Sequence, residues 1–229
     1  MWRTKVRNTR KALLCWGKKK STGFPKKKNA LPLVMRNELM FMAEVKVLVE
    51  GYTTDDGVSE SEDERTCATI TLIRDGNNII VVDPGVLQSQ DVLVDALKKE
   101  GLAIDDVTHV FLTHSHIDHF RNIGMFPKAK VLEFYGIWEE NMVDDWQEQF
   151  SEDIKIIKTP GHIANALTFL VKTNEGIIAI VGDVFWKENW PEKDPYASDL
   201  EELAKSRKKI LELADYIIPG HGKMFKVKK

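Results

Sequence analysis

Cysteine is nearly missing from this chain, whose 229 residues carry only two, Cys15 and Cys67. Two thiols so far apart make no disulfide framework, and they point to a reducing compartment. Long hydrophobic runs are missing too. No stretch approaches the roughly 18 apolar residues that span a bilayer, and the N-terminus has no uninterrupted apolar segment of the secretory type, so no membrane partner is expected. Acidic residues are absent from positions 1–37, which hold twelve Lys or Arg, among them Lys18-Lys19-Lys20 and Lys26-Lys27-Lys28. The remaining 21 basic residues face all 35 acidic ones, so positions 38–229 have a formal charge of −14 behind a whole-chain value of −2.

Gly17, Gly23, Pro25 and Pro32 interrupt the basic leader, which shows little periodicity. Residues 1–42 therefore read as a disordered leader and residues 43–229 as one folded domain, for which 43% hydrophobic content supplies a substantial core. Three readings of the leader stay open: a mitochondrial transit peptide, a nuclear address or nucleic-acid tail, and a solvated charge run. Cytoplasmic or nuclear residence fits the last two. Translation starting at Met35, Met40 or Met42 would remove most or all of it.

Orderly alternation begins at Glu44. Glu44 to Glu50 reads as a half-buried strand, Thr53 to Arg65 as an acidic loop, and Thr66 to Arg74 with Ile79 to Val82 as two strands joined at Asp75-Gly76. Helical spacing of Val92, Leu93, Ala96 and Leu97 predicts a helix over Asp91 to Glu100, ended by Gly101. Further strands are expected at Val107 to Leu112, Val131 to Phe134, Ile154 to Lys158, Leu167 to Lys172, Ile177 to Val181 and Tyr216 to Ile218, with a helix over about Leu200 to Ala214. This order implies mixed α/β layering.

The chemistry is concentrated where strands end. Thr113-His-Ser-His-Ile-Asp-His119 leaves an apolar strand carrying His114, His116, Asp118 and His119 within six residues. Extended backbone sends His114 and His116 to one side, and an immediate helix brings Asp118 and His119 toward a second point, so two adjacent metals are implied. His162 in Thr159-Pro-Gly-His, Asp183 in Gly182-Asp183 and His221 in Pro219-Gly-His-Gly each follow another strand, with glycine beside them. Singly, such a residue is more often a turn or structural group. The repetition is what carries the metal reading.

The order Val82-Asp-Pro-Gly85, THSHIDH, TPGH, GD and PGHG resembles the motif order of the metallo-β-lactamase superfamily over about Glu44 to Lys229. That resemblance implies an αββα sandwich (α/β, two mixed sheets flanked by helices) with the site along one edge. It implies that His114, His116 and His162 bind one zinc ion, that Asp118, His119 and His221 bind a second, and that Asp183 bridges both; iron or manganese are alternatives. Asp83 resembles the aspartate that steadies such a site, a turn-capping role being its alternative. Within the superfamily, TPGHIANALTFLVKT, GDVFW and ADYIIPGHGKMFKV most resemble the metallo-β-lactamase domain-containing protein 1 group, which implies an endoribonuclease acting on histone pre-mRNA 3′ ends.

Under that reading the partner is single-stranded RNA and a homodimer is allowed. Asp118 serves as the catalytic carboxylate that orients or deprotonates the nucleophile, while Trp186 and Trp190 stack a base. Core packing is the alternative for both tryptophans. Two other classes stay open: a thioester or lactone hydrolase of the glyoxalase II type, and a mononuclear iron enzyme of the persulfide dioxygenase type that uses the first ligand set alone.

Overall fold

The alternation of apolar and polar residues becomes two-faced sheets in the computed structural model, which describes residues 42–54, 65–188 and 191–229. These belong to a unit running Met40–Lys229. The expected leader and most of the acidic loop lie outside the described residues, and no helix among those described is long and apolar enough to cross a membrane.

In chain order the elements are β1 (Glu44–Val49), β2 (Tyr52–Thr53), β3 (Thr66–Cys67), β4 (Ile70–Asp75), β5 (Asn78–Val82), α1 (Asp91–Lys99), β6 (His109–Phe111), α2 (Ile117–Phe120) and β7 (Lys130–Glu133). There follow β8 (Gly136–Glu139), β9 (Met142–Asp144), β10 (Ile154–Lys158), β11 (Leu167–Thr173), β12 (Gly176–Ile180), α3 (Leu200–Leu213), β13 (Tyr216–Ile218) and β14 (Phe225–Lys226). One sheet has the order β1-β4-β5-β6-β7-β8-β9 and the other β10-β11-β12-β13-β14, with β2 and β3 forming a separate ribbon.

Side-chain direction along each strand sorts the core into layers. Ile80, Val82, Phe111 and Leu132 point from the first sheet into a cluster shared with Ile156, Phe169, Ile178 and Ile180 of the second. Their neighbours point the other way. Val81 and Val110 meet Leu93 and Leu97 of α1, whereas Ala179 and Ile217 meet Leu203 and Ile210 of α3. Each fully buried Ile, Leu or Phe contributes about 1.5–3 kcal/mol of transfer free energy, which makes helix–sheet–sheet–helix the arrangement that buries every apolar face. The fold is the expected αββα sandwich.

Two details depart from the hydropathy pattern. Thr66 to Arg74 reads as one strand but is split at Ala68-Thr69, because these residues turn their amides to the site loops: Ala68 N–H donates to the Asp118 carbonyl (3.3 Å) and Thr69 N–H to that of Gly220 (2.6 Å). Strands β8, β9 and β14 carry no apolar signature. Exposed or half-buried side chains predominate in them, and cross-strand pairing holds them in place, as in the Lys130–Glu139 ion pair at 2.8 Å.

Candidate metal centre

Neighbouring strands deliver the site residues from their C-terminal ends. β5 and β6 run parallel, as do β12 and β13, so Asp83, the Thr113–His119 loop, Asp183 and His221 emerge on one edge. Leu167 N–H donates to the Thr113 carbonyl (2.8 Å), tying the histidine loop of one sheet to β11 of the other. Gly182 has φ +52°, a left-handed turn that swings Asp183 inward, and a Cβ at Gly220 would collide with the Asp183 carboxylate.

Helix α3 fixes the remaining loops. Its N-cap Asp199 accepts from Glu201 and Glu202 N–H, worth about 1 kcal/mol. Ser206 donates to the Pro160 carbonyl (2.7 Å) and Ser198 N–H to that of His162 (2.9 Å), which pins the TPGH turn. Arg207, lying over the Phe185 ring, donates to the carbonyls of Val184 (2.8 Å) and Glu192 (3.1 Å), so one guanidinium straps the segment that carries Asp183.

The structure brings all seven candidate ligands together in two groups that could each hold a metal ion: His114, His116, His162 and Asp183, and Asp118, His119 and His221. His116 Nδ1 lies 3.0 Å from both His114 Nε2 and His162 Nε2. Asp183 faces both groups. Its Oδ2 is 3.4 Å from His162 Nε2 and 3.8 Å from His114 Nε2, while its Oδ1 is 3.2 Å from His119 Nε2 and from His221 Nε2. Asp118 Oδ2 completes the second group at 3.6 Å from His221 Nε2 and 4.0 Å from His119 Nε2.

Groups behind the ligands set their orientation and tautomer. Asp83, 2% exposed, accepts from Thr113 N–H (2.8 Å) and Thr113 Oγ1 (2.6 Å) and holds His119 Nδ1 at 2.8 Å. With Thr113 Oγ1 donating to Asp83, the 3.1 Å contact from His114 makes Nδ1 the donor and leaves Nε2 with a lone pair. His221 Nδ1 donates to the Cys67 carbonyl (3.1 Å), and Thr66 Oγ1 donates to Asp118 Oδ2 (3.0 Å). Asp194 does for His162 what Asp83 does for His119, at 2.7 Å from Nδ1. No motif marks Asp194 or Thr66, because a supporting carboxylate or hydroxyl needs only to reach the ring from behind. Asp194→Ala is expected to weaken metal binding about 10- to 100-fold, measured by competition with a chromophoric chelator; unchanged affinity would deny Asp194 this role.

Electrostatics divides the two groups. Burial pushes the His114 imidazole well below its ordinary pKa and lowers that of His116, leaving neutral rings with lone pairs. Burial also opposes charge on His119, yet Asp183 and Asp83 outweigh it and hold His119 well above its ordinary value; Asp183 raises His221 likewise. Asp183 itself stays far below the usual carboxylate range, since His221 and His119 overcome its desolvation. Positive charge is thus required around Asp183, from protons or from a cation. His119 Nε2 and Asp183 Oδ1 are both buried, and neither completes a hydrogen bond. Unfilled donor atoms, neutral nitrogen ligands and a carboxylate shared between two groups fit divalent metal ions of the zinc type.

The groups floor a cleft of about 550 Å³ whose lining also includes Arg65, Thr66, Trp186 and Tyr196. Trp186 does not offer the open platform expected of it. It is 4% exposed, edge-on to His162 and His221 at 6.2 Å, with the Tyr196 ring parallel to its own at 5.7 Å. Trp190 lies outside the described residues.

Comparison with known proteins agrees with this geometry. The profile described as Metallo-beta-lactamase superfamily matches residues 68–155. A Xenopus laevis protein named metallo-beta-lactamase domain-containing protein 1 is 35% identical over 198 residues, covering 81% of this chain and 82% of the relative. The chain belongs to the metallo-β-lactamase superfamily. A solved structure from Thermotoga maritima, described as a candidate metallo-beta-lactamase, aligns with a TM-score of 0.64 at 23% identity over 81% of this chain and 99% of its own. An N-acyl homoserine lactone hydrolase with its product N-hexanoyl-L-homoserine at the catalytic metal center aligns with a TM-score of 0.60 at 16% identity, over 80% and 93% of the two chains. At such identities these two structures establish the metallo-β-lactamase fold and no more.

Proposed function

We propose that this superfamily member is a binuclear zinc hydrolase that cuts phosphodiester bonds of single-stranded RNA, of the histone pre-mRNA 3′-end processing type, in the cytoplasm or nucleus. The observation that carries the hydrolase reading is the Asp183 carboxylate, which lies within reach of both ligand groups on the floor of a single cleft. His114, His116 and His162 would hold one ion, and Asp118, His119 and His221 the other, with Asp183 shared. Two such ions, when bound, polarise the attacked group and make water a nucleophile near neutral pH.

The protein's own groups do the rest. The Asp118 side chain is 13% exposed at the cleft and accepts from Thr66, so its carboxylate is oriented to steer the attacking water and receive its proton. Asp83 and Asp194 hold the rings of His119 and His162 in one tautomer, so the donor atoms need not reorganise during the reaction. RNA as the substrate class is what the motif resemblance to the domain-containing protein 1 group implies, and the relative of that name is similar over most of both chains.

The formal charge of −14 over positions 38–229 works against phosphate binding, so RNA affinity rests on local cations and on the basic leader and falls steeply with salt. A second reading, hydrolysis of a lactone or thioester, is favoured by the cleft volume of about 550 Å³, which matches a small-molecule site, and by the lactone hydrolase that shares the fold. One experiment separates them: zinc-loaded full-length protein is offered end-labelled single-stranded RNA alongside a panel of lactones and thioesters. Internal cleavage of RNA, lost on chelation and in His116→Ala, is the expected result. Intact RNA with turnover of a lactone or thioester would overturn the RNA assignment.

A further inference from the structure

We infer that Tyr196 and Arg65, which both line the cleft, form a nucleotide-reading pair: the Tyr196 ring stacks a base while the Arg65 guanidinium holds a neighbouring phosphate. This rests on the RNA reading above and specifies how the cleft selects that substrate.

Tyr196 is 56% exposed although it lines the cleft. Its orientation is nevertheless set. Its N–H donates to Asp194 Oδ1 at 2.9 Å, the same carboxylate whose other oxygen holds His162, and its ring lies within 10° of parallel to the buried Trp186 ring. An aromatic ring held in register with a ligand histidine, and backed by a second ring, is a preformed stacking surface. Trp186 cannot play that part, since 4% exposure leaves no room for a base on it.

The backbone of Arg65 is held at the cleft. Its N–H donates to Thr54 Oγ1 (2.8 Å) and its carbonyl accepts from Thr54 N–H (2.9 Å), and the next residue, Thr66, donates to Asp118. Among the described residues lining the cleft, Arg65 is the one permanent cation, and no ion pair with a described acid engages it. A guanidinium and an exposed aromatic ring lining one cleft above a hydrolytic floor suit a ligand with a flat base at one end and a phosphate at the other, which is a nucleotide step. An acyl lactone offers neither group.

The test pairs protein variants with abasic substrates. Zinc-loaded full-length protein is given single-stranded RNA in which one abasic site is moved nucleotide by nucleotide across the mapped cut, and kcat/KM is compared for the wild type, Tyr196→Ala and Tyr196→Phe. At one position the abasic site is expected to lower wild-type kcat/KM on the order of ten-fold. Tyr196→Ala should lose a similar factor on intact RNA and almost nothing further on that abasic RNA, while Tyr196→Phe behaves as wild type. Arg65→Ala should flatten the slope of log kcat/KM against log salt by about 0.7, one single-strand phosphate contact. Multiplicative losses for Tyr196→Ala and the abasic site, or wild-type cleavage indifferent to every abasic position, would overturn the pair and leave the RNA reading intact; the second result needs no variant to fold. RNA left uncut by the wild type would defeat both.

Discussion

Asp183→Asn is expected to reduce hydrolysis by at least about three orders of magnitude and to lower bound metal from about two ions per chain to one or none. The argument is one of charge and count. The carboxylate faces four imidazole nitrogens at 3.2–3.8 Å, and His221 and His119 hold it ionised despite its burial. An asparagine keeps the volume but has one acceptor oxygen and no charge, so it serves at most one group. Steady-state kinetics with elemental analysis of the same sample checks both numbers. A variant retaining two ions and a tenth of the wild-type rate would show that Asp183 does not join the groups.

Asp83→Ala should destabilise the protein by about 3–5 kcal/mol, read from urea unfolding. Three buried donors, Thr113 N–H, Thr113 Oγ1–H and His119 Nδ1–H, would lose their acceptor. Asp83 also has φ +48°, a left-handed conformation that aspartate and asparagine tolerate better than alanine. Asp83→Asn should therefore cost less than Asp83→Ala. A loss below about 1 kcal/mol for alanine would mean that Asp83 caps a turn without supporting His119.

The linkage adds a pH signature to that pair in metal-free protein. The folded-state pKa of His119 is raised by Asp183 and Asp83 against its desolvation, so its contribution to stability is full below the unfolded-state histidine pKa and is lost as pH rises through the raised value.

Much of this was legible in the sequence, for a physical reason. Strands such as Ile154–Lys158 and Gly176–Ile180 read as short, largely apolar runs because one face meets the other sheet and the other face a helix, and the end of each run marks where the strand ends. His162, Asp183 and His221 stand at those ends beside glycine, so their convergence follows once the strands are parallel neighbours or share an edge. What pattern cannot reveal is contact made from behind. Asp194 reaches His162 from a loop 32 residues away, and Thr66 reaches Asp118 across 52 residues, neither with any periodicity. Aromatic exposure is equally hidden: Trp186 and Tyr196 lie ten positions apart on one segment, and only packing makes one a wall and the other a surface. Strands β8 and β9 escape notice because their side chains are mostly exposed and the partner strand supplies their stability.

The metal content of folded, purified protein tests the central claim most directly. Equilibrated with excess zinc and then freed of unbound ion, the full chain should retain about two ions per polypeptide by elemental analysis, one for each ligand group. A ceiling of one ion under saturating zinc, with circular dichroism showing the native fold, would contradict the binuclear account.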